Sequence, residues 1–74
     1  MIEVKVLNQQ IENNFSYHPP KEGQPAKCEA IRSLGKGMAI AVDELTPDSR
    51  EKSLAITKLE EAIFWANAAI ARNE

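Results

Sequence analysis

The sequence is short of almost everything that reinforces a small fold. Among its 74 residues there is one cysteine, Cys28, and one histidine, His18. A lone cysteine excludes an internal disulfide and fits a reducing compartment. One Cys with one His cannot furnish the four protein ligands of a structural zinc, and no cofactor or metal is expected. Apolar runs long enough for a membrane span are missing, and "MIEVKVLNQQ" carries Glu3 and Lys5 where a signal peptide needs an apolar stretch; the expectation is a cytoplasmic protein. Basic charge is not in excess either. Nine Lys and Arg against eleven Asp and Glu leave a net charge of -2, which argues against a general binder of DNA or RNA backbone. A local basic cluster that takes a small anion remains compatible with that balance.

What is present is an ordinary folding composition, 43% hydrophobic and 27% charged, unlike that of a disordered chain. A chain of this length makes one domain with a marginal core. With disulfide and metal set aside, the common remaining reinforcement is oligomerisation.

The pattern along the chain predicts an all-α fold: an antiparallel two-helix hairpin with a short extended N-terminal arm, assembled into a homo-oligomer. Positions 1–14 form the arm, 15–24 a proline-rich loop, 25–45 the first helix and 47–72 the second. In the arm Ile2, Val4 and Val6 alternate with Glu3 and Lys5, the period of a half-buried strand. The loop "FSYHPPKEGQP" holds three prolines and a glycine around Tyr17-His18, and its backbone is stiff because residues before proline are driven out of the helical region. From Pro25 a helical period places Cys28, Ile31, Met38, Val42 and Leu45 on one face, with Leu34 and Ala41 beside it. Gly35 and Gly37 break that stripe, each at a cost of about 1 kcal/mol against alanine, unless they admit a neighbouring backbone. In "ELTPDSRE" Thr46 is the expected N-cap with Pro47 at the first helical position. Beyond it Ile56, Leu59, Ile63, Ala66 and Ile70 step by three and four, the seam of a packed helix pair. Phe64 and Trp65 fall outside that seam, so one partner helix cannot cover the apolar surface and further assembly follows.

Candidate sites are few. Tyr17 and His18, held by Pro19-Pro20, make either an aromatic platform fixed before its ligand arrives or loop residues that pack over helix ends. Arg32 and Lys36 project from one helix face, with Lys27 a turn away and Lys21 in the loop; alone they read as a solvated face paired with Glu29. An aromatic ring and an arginine together suit a nucleotide, one stacking on a base and the other pairing with phosphate. "LGKGMA" lacks the spacing and the Lys-Ser/Thr step of a phosphate loop. Cys28 sits on the apolar stripe without an orienting group, and Glu60-Glu61 read as a solvated helix face. No catalytic constellation emerges, and a protein without enzyme activity is expected. Arg50, Lys58 and Asn67 are candidates for a second pocket or, more simply, surface and interhelical contacts.

These residues carry a resemblance. "YHPP", the following Gln24, "IR" at Ile31-Arg32 and "PDSREKSLAITKLEEAIFWANAAIAR" resemble the helical hairpin shared by phage anti-CBASS cyclic-nucleotide sponges and Thoeris anti-defence sponges, over about Phe15 to Arg72. The resemblance implies a hairpin that interlocks into a homohexamer and sequesters cyclic oligonucleotides without cleaving them. It places a cyclic dinucleotide such as 3′,3′-cyclic GMP-AMP between a loop tyrosine, here Tyr17, and a helix lysine, here replaced by Arg32; His18, Pro19 and Lys36 are the neighbouring candidates for the same ligand site. It also implies separate pockets for cyclic trinucleotides. The Thoeris sponges carry a longer N-terminal portion associated with cyclic ADP-ribose signals, whereas only about fourteen residues precede Phe15 here; cyclic dinucleotides are therefore expected over cyclic ADP-ribose. The competing readings from the residues alone are a structural or adaptor helical oligomer and a regulator that binds a protein through the apolar helix.

Overall fold

The computed structural model describes the backbone of residues 2–74 and side-chain surroundings from residue 8 onward. Three helices follow one another: α1 (Ile2–Asn14), α2 (Gln24–Leu45) and α3 (Arg50–Asn73). No strand occurs among the described residues. The extended arm is thus corrected to a helix from Ile2; Met1, and the side-chain burial that a strand face of Ile2, Val4 and Val6 required, lie outside what is described. The same segment also carries Val4, Leu7 and Ile11 at helical spacing, and a lone strand has no partner for its backbone groups, whereas a helix satisfies them internally. None of the helices is long and apolar enough to cross a membrane.

α2 and α3 pack on each other as the hairpin. On α3, Ile56, Leu59, Ile63, Ala66 and Ile70 are all partly covered, which is the expected seam. On α2 the covered line differs from the expected stripe. It runs Gln24, Cys28, Ile31, Gly35, Ala39, Val42, while Met38, Leu34 and Leu45 are 60%, 73% and 84% exposed. Gly35 is the reason. A β-carbon there would lie 2.5 Å from Cγ1 and 2.6 Å from Cδ1 of Ile63, so the helices touch where α2 has no side chain and α2 rotates to present that position. Gly37 has nothing within 4 Å of the same construction.

The turn between the helices also departs from expectation. Thr46 closes α2 instead of opening α3: its N–H donates to the Val42 carbonyl at 3.2 Å and its hydroxyl to the same oxygen at 2.6 Å. Pro47 holds Thr46 extended, at φ -121° and ψ 150°, as the residue before a proline should be. The N-cap is Ser49, whose Oγ accepts the Lys52 N–H at 3.1 Å. Lys52 then folds back over the turn, its ammonium 2.7 Å from the Asp43 carbonyl and 3.1 Å from the Asp48 carboxylate. α2 opens one residue before the expected boundary, with Gly23 as N-cap at φ 86°, a left-handed backbone that glycine adopts without strain.

Among the described residues no apolar side chain is buried; only Gln24 and Gly35 are. The chain exposes 6140 Å², where a compact monomer of its mass exposes about 4500 Å². Its radius of gyration is 16.2 Å against about 11 Å for a globule of this length. The shape is a slab 15 Å thick, little more than one layer of helices.

Candidate functional site

The loop after α1 is tied down at both ends. The His18 Nε2 lies 2.6 Å from the Asn13 carbonyl oxygen, which only accepts, so Nε2 carries the proton. The Ser16 hydroxyl donates to the Glu12 carbonyl. At the other end the Lys21 N–H donates to Gln24 Oε1 at 3.0 Å, and the Lys21 ammonium donates to the Glu74 carbonyl. Between these ties Tyr17 stands 84% exposed. The two members of the Tyr-His pair therefore have different fates: His18 is half-buried and bonded, and Tyr17 is presented.

Tyr17 borders an open cleft of about 520 Å³ formed by the loop, α2 and α3, within the size range of small-ligand sites. Tyr17 and His18 line it from the loop, Cys28 and Arg32 from α2, and Phe64, Asn67 and Arg72 from α3. The fold thus brings together Tyr17 and Arg32, residues fifteen positions apart in the chain, and adds Asn67 to them. Lys36 borders a different groove, lined also by Arg32, Gly35 and Ile63. Pro19 stiffens the loop without lining the cleft. Arg50 opens α3 and Lys58 pairs with Glu61 at 3.6 Å on an exposed face. Seventeen residues of helix separate Arg50 from Asn67, about 25 Å, so one chain does not unite those three in a pocket.

Arg72 and Phe64 line the cleft too, although the sequence marked Phe64 only as surplus apolar surface and Arg72 not at all. The Arg72 guanidinium lies 5.9 Å from the centroid of the Trp65 ring, a cation–π placement, and Trp65 meets Phe64 edge to face at 5.2 Å. The available signal was the stacking of Trp65 and Arg72 seven residues apart, two helical turns, on one side of α3. Neither Arg32 nor Arg72 enters an ion pair among the described residues, and no carboxylate lines the cleft. The Glu29 pairing expected for a merely solvated Arg32 is absent there. A chain of net charge -2 therefore presents a locally cationic cleft with aromatic walls. Asn67 contributes a buried Oδ1 that has no hydrogen-bond donor, an acceptor whose desolvation is uncompensated.

The helical hairpin thus presents a tyrosine and two guanidiniums on one cleft. The family model described as Acb2/Tad1, hairpin domain, matches residues 7–71, and the chain belongs to that family, whose members are phage anti-defence sponges that act by binding. Comparison with curated proteins and with solved structures gives no match.

Proposed function

We propose that this chain sequesters cyclic dinucleotides such as 3′,3′-cyclic GMP-AMP, without cleaving them, in the cleft between loop, α2 and α3. The observation that carries this reading is the meeting of exposed Tyr17 with Arg32 on a cleft of about 520 Å³ that no carboxylate lines. Tyr17 stacks on a nucleobase. Arg32 and Arg72 meet the two phosphates, and planar guanidiniums pair with phosphate oxygens through two parallel hydrogen bonds. Asn67, whose Oδ1 lacks a donor in the folded chain, turns its side chain into the cleft to accept from a base amine. His18 and Pro19 hold the loop, and Lys36 adds positive charge beyond Arg32. Catalysis has no support in this arrangement: Cys28 and His18 line the same cleft, but among the described residues no hydrogen bond joins them and no carboxylate orients the ring.

The ligand site belongs to an assembly in this reading. The excess exposed surface, about 1600 Å² per chain against a compact monomer, and exposed Leu34, Met38, Leu45, Phe64 and Trp65 support a homo-oligomer, for which the family resemblance suggests six copies. Cyclic trinucleotides at a second site, to which Arg50, Lys58 or Asn67 of different copies would contribute, extend the same reading.

Isothermal titration with 3′,3′-cyclic GMP-AMP tests it. Tight binding with intact nucleotide recovered after heating is expected. Tyr17→Ala loses about 1–3 kcal/mol of stacking, and Arg32→Ala or Arg72→Ala about 1.5–3 kcal/mol each. Assembled Tyr17→Ala and Arg32→Ala variants that bind as tightly as the parent would refute the site, and recovered but cleaved nucleotide would refute the sponge.

A further inference from the structure

Among the described residues two positions are buried, and one of them is a glutamine. Gln24 is 6% exposed at the first position of α2, where a leucine or methionine would contribute more apolar burial. Both ends of its side-chain amide are bonded. Oε1 accepts the Lys21 N–H at 3.0 Å, and Nε2 donates to the Ile70 carbonyl at 3.1 Å. The Gln24 N–H returns to the Lys21 carbonyl at 3.1 Å, so loop and helix start are closed on each other. Ile70 lies in the last turns of α3, where carbonyls run out of helical partners, and that turn also carries Arg72. From Lys21 back to Tyr17 there are three residues, and two of them, Pro19 and Pro20, have fixed φ. A tie at Lys21 is therefore transmitted to Tyr17.

We infer that Gln24 is a positioning residue that sets the separation of the Tyr17 ring and the Arg72 guanidinium by bridging the loop to the end of α3. The inference rests on the cleft reading above and goes beyond it, since Gln24 does not line the cleft. Without the bridge the loop samples open states, and apparent affinity falls with the fraction of closed loop. Loss of two neutral hydrogen bonds corresponds to about a tenfold drop in the ratio of closed to open loop.

The test uses the full chain and Gln24→Met, which keeps the volume and removes both hydrogen bonds, with Gln24→Ala as a second variant if Met does not assemble. Native-state trypsin cleavage after Lys21 is expected to accelerate about threefold in the variant. The affinity for 3′,3′-cyclic GMP-AMP is expected to fall about threefold in the parent background, the two factors multiplying to the tenfold change in the closed-to-open ratio, and to stay nearly unchanged beside Tyr17→Leu, which keeps a contact but removes the ring. A role in hairpin stability alone gives equal, additive losses in the two backgrounds. Additive losses, unchanged affinity or unchanged cleavage at Lys21 each overturn the inference about Gln24. A parent chain that fails to bind the nucleotide overturns the functional reading itself, and the two failures are thereby distinguished.

Discussion

Substituting alanine for glycine at positions 35 and 37 is the same chemical change made two residues apart, and the structure gives it opposite signs. Alanine gains about 1 kcal/mol over glycine within a helix. At Gly37 nothing lies within 4 Å of the new methyl, so Gly37→Ala is expected to stabilise by about 0.5–1 kcal/mol. At Gly35 the methyl meets Ile63 Cγ1 at 2.5 Å and Cδ1 at 2.6 Å. Cγ1 is fixed by the stiff χ1 of a β-branched side chain, so relief requires the helices to part, and overpacking of this kind costs about 1–3 kcal/mol. Subtracting the propensity gain leaves Gly35→Ala less stable by up to about 2 kcal/mol, with a Tm lowered by about 4–8 °C for each kcal/mol. Urea unfolding followed by far-ultraviolet circular dichroism, at one fixed protomer concentration because assembly is linked to folding, measures both. Truncating Ile63 to alanine beside Gly35→Ala should cost less than the two changes summed. A Gly35→Ala protein stabilised as much as Gly37→Ala, or a destabilised Gly37→Ala protein, would refute this account of the interhelical contact.

The turn and the charged ends give further tests. Ser49→Ala should cost about 1 kcal/mol as the loss of an N-cap, and Thr46→Ala less than half of that, measured by the same unfolding curves; equal costs would restore Thr46 as the cap. Lys52 titrates above its ordinary value of 10.5, chiefly through its hydrogen bond to Asp48 and then that to Asp43. Its contribution is therefore complete below that value and disappears as pH rises through the raised one, so a stability loss in strongly alkaline solution should be absent from Lys52→Met. Glu74 titrates below its ordinary 4.5, first because of the Lys27 hydrogen bond. Its contribution is present above 4.5 and vanishes as pH falls through the lowered value. Glu74→Gln should remove that acid-side component, and added salt should shrink it in the parent because the pair is exposed.

The α3 seam was legible because Ile56, Leu59, Ile63 and Ile70 are large and regularly spaced. The α2 face was not, for a physical reason: its closest contact is made by a residue with no side chain, so a stripe traced through hydrophobic residues passes through Met38 and Leu45 and misses Gly35 and Ala39. The first helix was misread because two periods coexist in Ile2–Ile11, and the alternating one is the more conspicuous. Thr46 and Ser49 are both good capping residues, and Pro47 decides between them by holding Thr46 extended. At the cleft, Tyr17 was visible from its proline frame and Arg32 from its helix. Arg72 was not, because its relevance depends on where α3 ends relative to a loop more than fifty residues earlier.

Gly35 and Gln24 have a joint consequence for how such a chain can diverge. The hairpin's register depends on a backbone contact and an amide bridge, not on a set of interlocked large side chains. Leu34, Met38, Leu45, Phe64 and Trp65 point away from that register, as does Tyr17. Exchanging any of them alters what the hairpin meets while leaving how it closes untouched. A fold organised in this way separates its own specification from its recognition, so a new ligand or a new neighbour is reachable by single substitutions on its surface.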